Sequence, residues 1–177
     1  MKNVFIGGGV YDPSLMVKEI FASDHADYAS MPLVICSLDY YDDLQIDFGK
    51  VFKGDLLKHY KEWCYEQYSL TELGELLGTD LRGYFADELL NREGSEEYRK
   101  LLEICQQKKV GLAQKPDFKI HMSYASEDEL VPAISSDQLY EELAAMGVEV
   151  EYNKYDVTHL TCFPFMLWEF WMALNNR

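Results

Sequence analysis

Positive charge is scarce in this sequence. Its 177 residues carry 16 Lys and Arg against 31 Asp and Glu, a formal net charge of -15. A field of that sign repels phosphate backbones and anionic lipid surfaces, which excludes nucleic acid and argues against a charged membrane as partner. Cysteine is also thin. Cys36, Cys64, Cys105 and Cys162 are widely spaced and form no C-x-x-C pair. A chain of this length buries a core without disulfide staples, so the four read as buried thiols. Their even number leaves disulfides open, and cysteine therefore does not identify the compartment. The N-terminus has neither the apolar stretch nor the small-residue cleavage site of a signal peptide. The most apolar segment, Leu160 to Leu174, is broken by Pro164 and Glu169 and is too short to span a bilayer. Internal repeats and low-complexity tracts are absent. What is abundant is apolar and aromatic: 48% hydrophobic residues and 14% Phe, Trp and Tyr. That composition excludes disorder and predicts a soluble, folded protein.

Asn3 to Ile6 reads as a short strand running into Gly7-Gly8-Gly9. Asp12 then caps a helix with Pro13 at its first position. The glycines have no G-x-G-x-x-G spacing and no following Lys-Ser/Thr, so a tight turn is favoured over a phosphate cradle. From Met31 to about Lys109 the pattern is helical. Pro32 to Tyr41 has helical spacing, Asp55 to Tyr68 carries Tyr60, Trp63 and Cys64 on one face, and Ser69 with Glu72 forms a capping box for a helix ending at Gly78. Asp80 to Leu90 is a further helix candidate. Ser95 opens the last helix, with Lys108 and Lys109 at its negative end. Beyond Pro116 strand and helix alternate: strand Phe118 to Tyr124, helix Ser135 to Met146, strand Val148 to Tyr155, helix Phe163 to Leu174. That order predicts parallel pairing with right-handed crossovers. The expected fold class is α/β, a small parallel sheet of about three strands flanked by helices. The expected division is residues 1–30 as the first strand and helix, 31–112 as an inserted helical subdomain, and 113–177 as the remaining α/β segment.

Ligands of open parallel sheets gather beyond the carboxyl ends of the strands. Asp128 falls in the loop after one strand and His159 in the loop after the next. Adjacent strands bring the two loops side by side, where a carboxylate orients an imidazole and stabilises its charged form. The stretch Lys119 to Pro132, with Asp128-Glu-Leu-Val-Pro132, followed by Val157-Thr-His159, resembles the C-terminal end of an α/β-hydrolase. There an acidic residue and then a histidine follow successive strands. The N-terminal strand, Gly7-Gly8-Gly9 and Asp12 resemble the segment before the helical lid in secreted-lipase-like and peptidase-like members. The resemblance implies Asp128 and His159 as the acid and base of a catalytic triad. It also implies a lid whose Tyr60, Trp63, Tyr68, Tyr84 and Phe85 meet a hydrophobic acyl or peptide substrate, with no cofactor and no metal. Its members are often secreted.

One departure governs the functional reading. The family's nucleophile is a Ser in G-x-S-x-G, and this sequence contains none. The resemblance begins at the sixth strand of an eight-stranded sheet, so the nucleophile and oxyanion donors are expected upstream of Met1. The chain then carries acid and base without the covalent step, and is expected to be inactive alone. The alternative is a non-catalytic remnant or binding module that uses the lid groove. Ser14, Ser126 and Cys162 are weaker nucleophile candidates, explained by capping or burial. Asp39, Asp42, Asp43 and Asp47 lack a calcium-loop register, and His25, His59 and His121 share no metal-ligand spacing. An unpaired edge on the first strand and the aromatic final helix predict self-association, or pairing with an N-terminal half.

Overall fold

The computed structural model describes residues 2–23, 29–66 and 68–175; His25 lies outside them. Along the chain run β1 (Asn3–Gly7), α1 (Pro13–Ser23), α2 (Ser30–Asp42), α3 (Phe48–Val51), α4 (Gly54–Tyr65), α5 (Leu70–Leu77), α6 (Asp87–Leu90), α7 (Glu96–Gln107), β2 (Lys119–Ala125), α8 (Ile134–Ala145), β3 (Val150–Tyr155) and α9 (His159–Asn175). They form two compact units, residues 1–16 with 109–177, and residues 17–108.

The first unit is built on a parallel sheet of order β1-β2-β3. Parallel register aligns Ile6 with Met122, and Met122 with Tyr152. Because side chains alternate along a strand, one face presents Ile6, Ile120, Met122, Val150 and Tyr152. These pack with Leu139 and Leu143 of α8 and with Tyr11 and Val148 as the unit's apolar core. The buried Ser135 Oγ at the start of α8 accepts from the backbone of Tyr11 (2.9 Å) and Asp12 (2.8 Å), tying the loop after β1 to that helix. Asp12 caps α1 as its sequence position suggests, accepting from Ser14 Oγ at 2.6 Å and from the backbone of Ser14 and Leu15.

The opposite face, which sets Phe5 beside His121, Ser123, Asn153 and Tyr155, carries α9. Gly7 is required there: a Cβ would stand 2.7 Å from the Ser123 carbonyl oxygen and against Met166. Glu169 of α9 accepts from Ser123 Oγ (2.6 Å), Asn153 Nδ2 (2.7 Å) and the Tyr155 hydroxyl. The outward face of α9 is aromatic and solvent-exposed, with Phe163 at 59%, Trp168 at 60% and Trp171 at 51%. Pro164 sits inside this helix, where its missing N–H removes one helical hydrogen bond.

The second unit is helical. Ser69 accepts from the Glu72 backbone while Glu72 receives the Ser69 N–H, completing the capping box, and Gly78 ends α5. Ser95 caps α7. The continuous helix expected over Asp80 to Leu90 is corrected. A 3-10 turn at Leu81–Gly83 gives way to a bridge between Phe85 and Phe52, and only then to α6. Phe85 is fully buried, and its ring meets those of Phe21 and Phe52, so tertiary packing overrides the local helical pattern. Lys108 does not serve the α7 dipole alone; it pairs with Asp42 at 2.8 Å. All four cysteines are free thiols; Cys36, Cys105 and Cys162 are buried as expected, whereas Cys64 is only half-buried. None of the described helices is long and apolar enough to cross a membrane.

Candidate functional site

The parallel pairing of β2 and β3 brings their following loops together, and backbone hydrogen bonds join them: Ser126 N to Tyr155 O (2.9 Å) and Glu127 N to Val157 O (3.2 Å). Asp128 Oδ1 accepts from the Leu130 and Val131 N–H groups at 3.0 and 2.7 Å. That fixes the carboxylate in a turn and leaves Oδ2 directed at His159 Nδ1, 2.8 Å away. A carboxylate already accepting two N–H bonds acts as acceptor again, so Nδ1 is the donor, and in the neutral tautomer Nε2 holds the lone pair. The Asp128 side chain is only 4% exposed, whereas that of His159 is 25% exposed. The pair is thus an anchored acid beside a ring that retains accessible surface.

His159 was expected in a loop, and that placement is corrected. It is the first residue of α9. The local cause is Glu129, whose carboxylate accepts the His159 backbone N–H at 3.0 Å. This satisfies one orphan donor and sets negative charge at the helix's positive end. Gly8, with φ +58°, brings the loop after β1 to the imidazole: a Cβ there would stand 3.5 Å from His159 Cε1. Neither Glu129 nor Gly8 was singled out for this site, although Glu129 adjoins Asp128 in the loop.

The weaker nucleophile candidates are committed elsewhere. Ser14 donates to Asp12. Ser126 donates to Asp156 at 2.7 Å. Cys162 is buried, and burial together with the Asp128 and Glu169 carboxylates pushes its thiol pKa up, away from thiolate. The five aromatics expected of a lid separate. Trp63, Tyr84 and Phe85 are buried within the helical unit and offer a ligand almost no surface, while Tyr60 lines an open cavity and Tyr68 a second one. The acidic cluster is structural in its contacts: Asp39 accepts the Ile46 N–H, Asp42 pairs with Lys108, and Asp47 caps α3. His59 stacks on Trp63, and His121, on β2, stacks on Phe5.

No family model matches the chain, and no curated protein matches it in sequence. Solved structures do match. A presumed hydrolase of Legionella pneumophila superimposes with a TM-score of 0.72 at 19% identity, over 95% of this chain and 46% of its own. The rice cell wall degrading esterase LipA of Xanthomonas oryzae gives 0.69 at 14% identity, over 88% and 43%. Candida antarctica lipase A in its closed state gives 0.58 at 18% identity, over 93% and 39%. The chain spans less than half the length of each. At such identities the likeness is one of fold, and that fold, a three-stranded parallel sheet flanked by helices and matching only part of each hydrolase, is a partial α/β-hydrolase fold.

Proposed function

We propose that Asp128 and His159 are the acid and base of a serine-type hydrolase site cleaving an ester or peptide bond beside a hydrophobic acyl or peptide group. The 2.8 Å contact between Asp128 Oδ2 and His159 Nδ1 carries this reading. Asp128 holds the ring in the tautomer whose Nε2 takes a proton from a serine and returns it to the leaving group. The serine and the oxyanion donors belong to polypeptide beyond this chain, because no G-x-S-x-G occurs in it. Without them the covalent step and most transition-state stabilisation are lost, so the 177-residue chain alone is inactive. The complementary polypeptide pairs with the outer edge of β1 and covers the aromatic face of α9. Self-association through the same surfaces is the competing arrangement. The absence of the serine motif also favours a second reading, a non-catalytic remnant that keeps the Asp–His geometry.

The test has three parts. Ring 15N shifts of His159 should report a protonated Nδ1, and Asp128→Asn should abolish that preference. The chain alone should hydrolyse p-nitrophenyl acyl esters no faster than its His159→Ala variant; His159-dependent turnover would overturn the claim of inactivity. Upstream coding DNA should encode G-x-S-x-G, and in the extended protein His159→Ala should cost at least about a thousandfold in rate. Absence of that motif in every upstream frame leaves the remnant reading in possession.

A further inference from the structure

The helical unit contains a cavity whose lining includes neither Asp128 nor His159. It has a volume of about 770 Å³ and is lined along α2 and α4 by Asp39, Tyr40, Tyr41, Tyr60, Tyr65 and Glu66, among others. Tyr40 and Tyr41 are 70% and 80% exposed, so core packing does not explain why they cluster. Their rings are set at angles. Tyr40 meets Tyr41 at 5.0 Å and 86°, and Tyr65 at 6.0 Å and 53°; Tyr60 meets Tyr65 at 6.4 Å and 64°.

Ring orientation and charge together select the ligand. A sugar ring stacks on one flat aromatic face, whereas a wall of tyrosine rings set at angles offers electron-rich faces to a positive charge, although Tyr60 gives one face to Phe48 at 4.3 Å and 22°. Lys61 is the one basic residue of the lining, against the carboxylates of Asp39 and Glu66. A neighbouring cavity of about 470 Å³ shares Tyr65 and Glu66 and adds Glu62, Glu72 and Tyr68. Glu62 above all, with Glu72 and Glu66, raises the Tyr68 hydroxyl pKa, which registers the negative field at this wall. Such a field repels phosphate and attracts cations.

We propose that this cavity binds a small organic cation with an alkylated ammonium head, of the choline type. The ammonium sits over the tyrosine faces, and Asp39 and Glu66 neutralise it at the rim. The site lies within the helical unit and uses neither Asp128 nor His159, so it stands or falls independently of the hydrolase reading.

Choline titrated into the full chain, followed by calorimetry and by tyrosine fluorescence, should bind saturably at sub-millimolar to millimolar concentration. The uncharged isostere 3,3-dimethylbutan-1-ol and methyl glucoside should bind at least about tenfold more weakly, because neither carries the charge that the rings and carboxylates recognise. Phosphocholine should also bind more weakly than choline. Tyr40→Ala and Tyr41→Ala, at exposed positions that leave the core intact, should each weaken choline by about two- to fivefold. Glu66→Gln should weaken it and flatten its salt dependence. The proposal is overturned by any of three results: no saturation up to about 10 mM choline, equal binding of the uncharged isostere or the sugar, or unchanged binding in both tyrosine variants.

Discussion

On one face of the sheet, α8 closes over Ile120, Met122 and Val150 with Leu139 and Leu143. On the other, α9 lies on Phe5, Ser123, Asn153 and Tyr155, held by Glu169. The first contact is mainly dispersive, with one hydrogen bond from the Tyr152 hydroxyl to Asp137 of α8 at 2.7 Å. The second is fastened by hydrogen bonds, and the helix making it turns Phe163, Trp168 and Trp171 to solvent. A helix that sets its one carboxylate, Phe165 and Phe170 on the sheet and turns Phe163, Trp168 and Trp171 to water is arranged for a further contact surface. Phe170 meets the Phe5 ring edge to face and Phe165 stacks on Tyr155, so part of the apolar surface of α9 also holds it to the sheet.

Substitutions on the two faces break or sharpen that contrast. The largest effect is expected at Met122, fully buried at the centre of the sheet. Met122→Ala should lower the free energy of unfolding by about 2–5 kcal/mol in urea denaturation. Trp168→Ala should change it by less than about 0.5 kcal/mol in the monomer. A Trp168→Ala loss approaching that of Met122→Ala, growing with protein concentration, would show the outer face of α9 packed against a second molecule. Light scattering on the same samples gives the mass of the species.

Next in size is the polar anchor of the α9 face. Glu169→Ala leaves the buried Ser123 hydroxyl without its acceptor and should cost about 1–3 kcal/mol, the penalty of an unmade buried hydrogen bond. Glu169→Gln keeps an acceptor oxygen and should recover much of that loss. If the two variants are equally stable, hydrogen bonding does not hold α9 and the comparison fails.

A smaller effect than that at Glu169 belongs to Asp12, whose backbone N–H donates to Ser135 of α8 and whose carboxylate caps α1. Burial acts to raise its pKa, but the Ser14 hydroxyl, the Leu15 and Ser14 N–H groups and Lys109 prevail, and the carboxyl lies below its ordinary value of 3.8. A lowered folded value means that the stabilisation is complete above the unfolded pKa and disappears as pH falls through the folded one. Asp12→Asn should cost less than about 1 kcal/mol near pH 6, since Asn also caps helices. The gap to wild type should close on acidification below pH ~4. A gap that persists at low pH would assign the effect of the substitution to packing rather than charge.

What was legible in the sequence was local or periodic. Asp12-Pro13, Ser69 with Glu72, and Ser95 each act within three residues, so their caps appear where residue type and spacing place them. The Asp128–His159 pair was legible for a related reason. One parallel strand-helix-strand step fixes which loops become neighbours, and both residues follow such strands. Tertiary structure decided the remainder. It broke the Asp80 to Leu90 segment so that Phe85 could enter the core, and it drew His159 into α9 through the Glu129 carboxylate. It also required Gly7 where the Ser123 carbonyl passes, and turned Glu169 inward to three partners on two strands. The division has a physical cause. Caps and alternation are set by neighbours a few bonds away, whereas a buried carboxylate, a broken helix or a cavity wall depends on atoms that only the folded chain brings within 3 to 6 Å of one another.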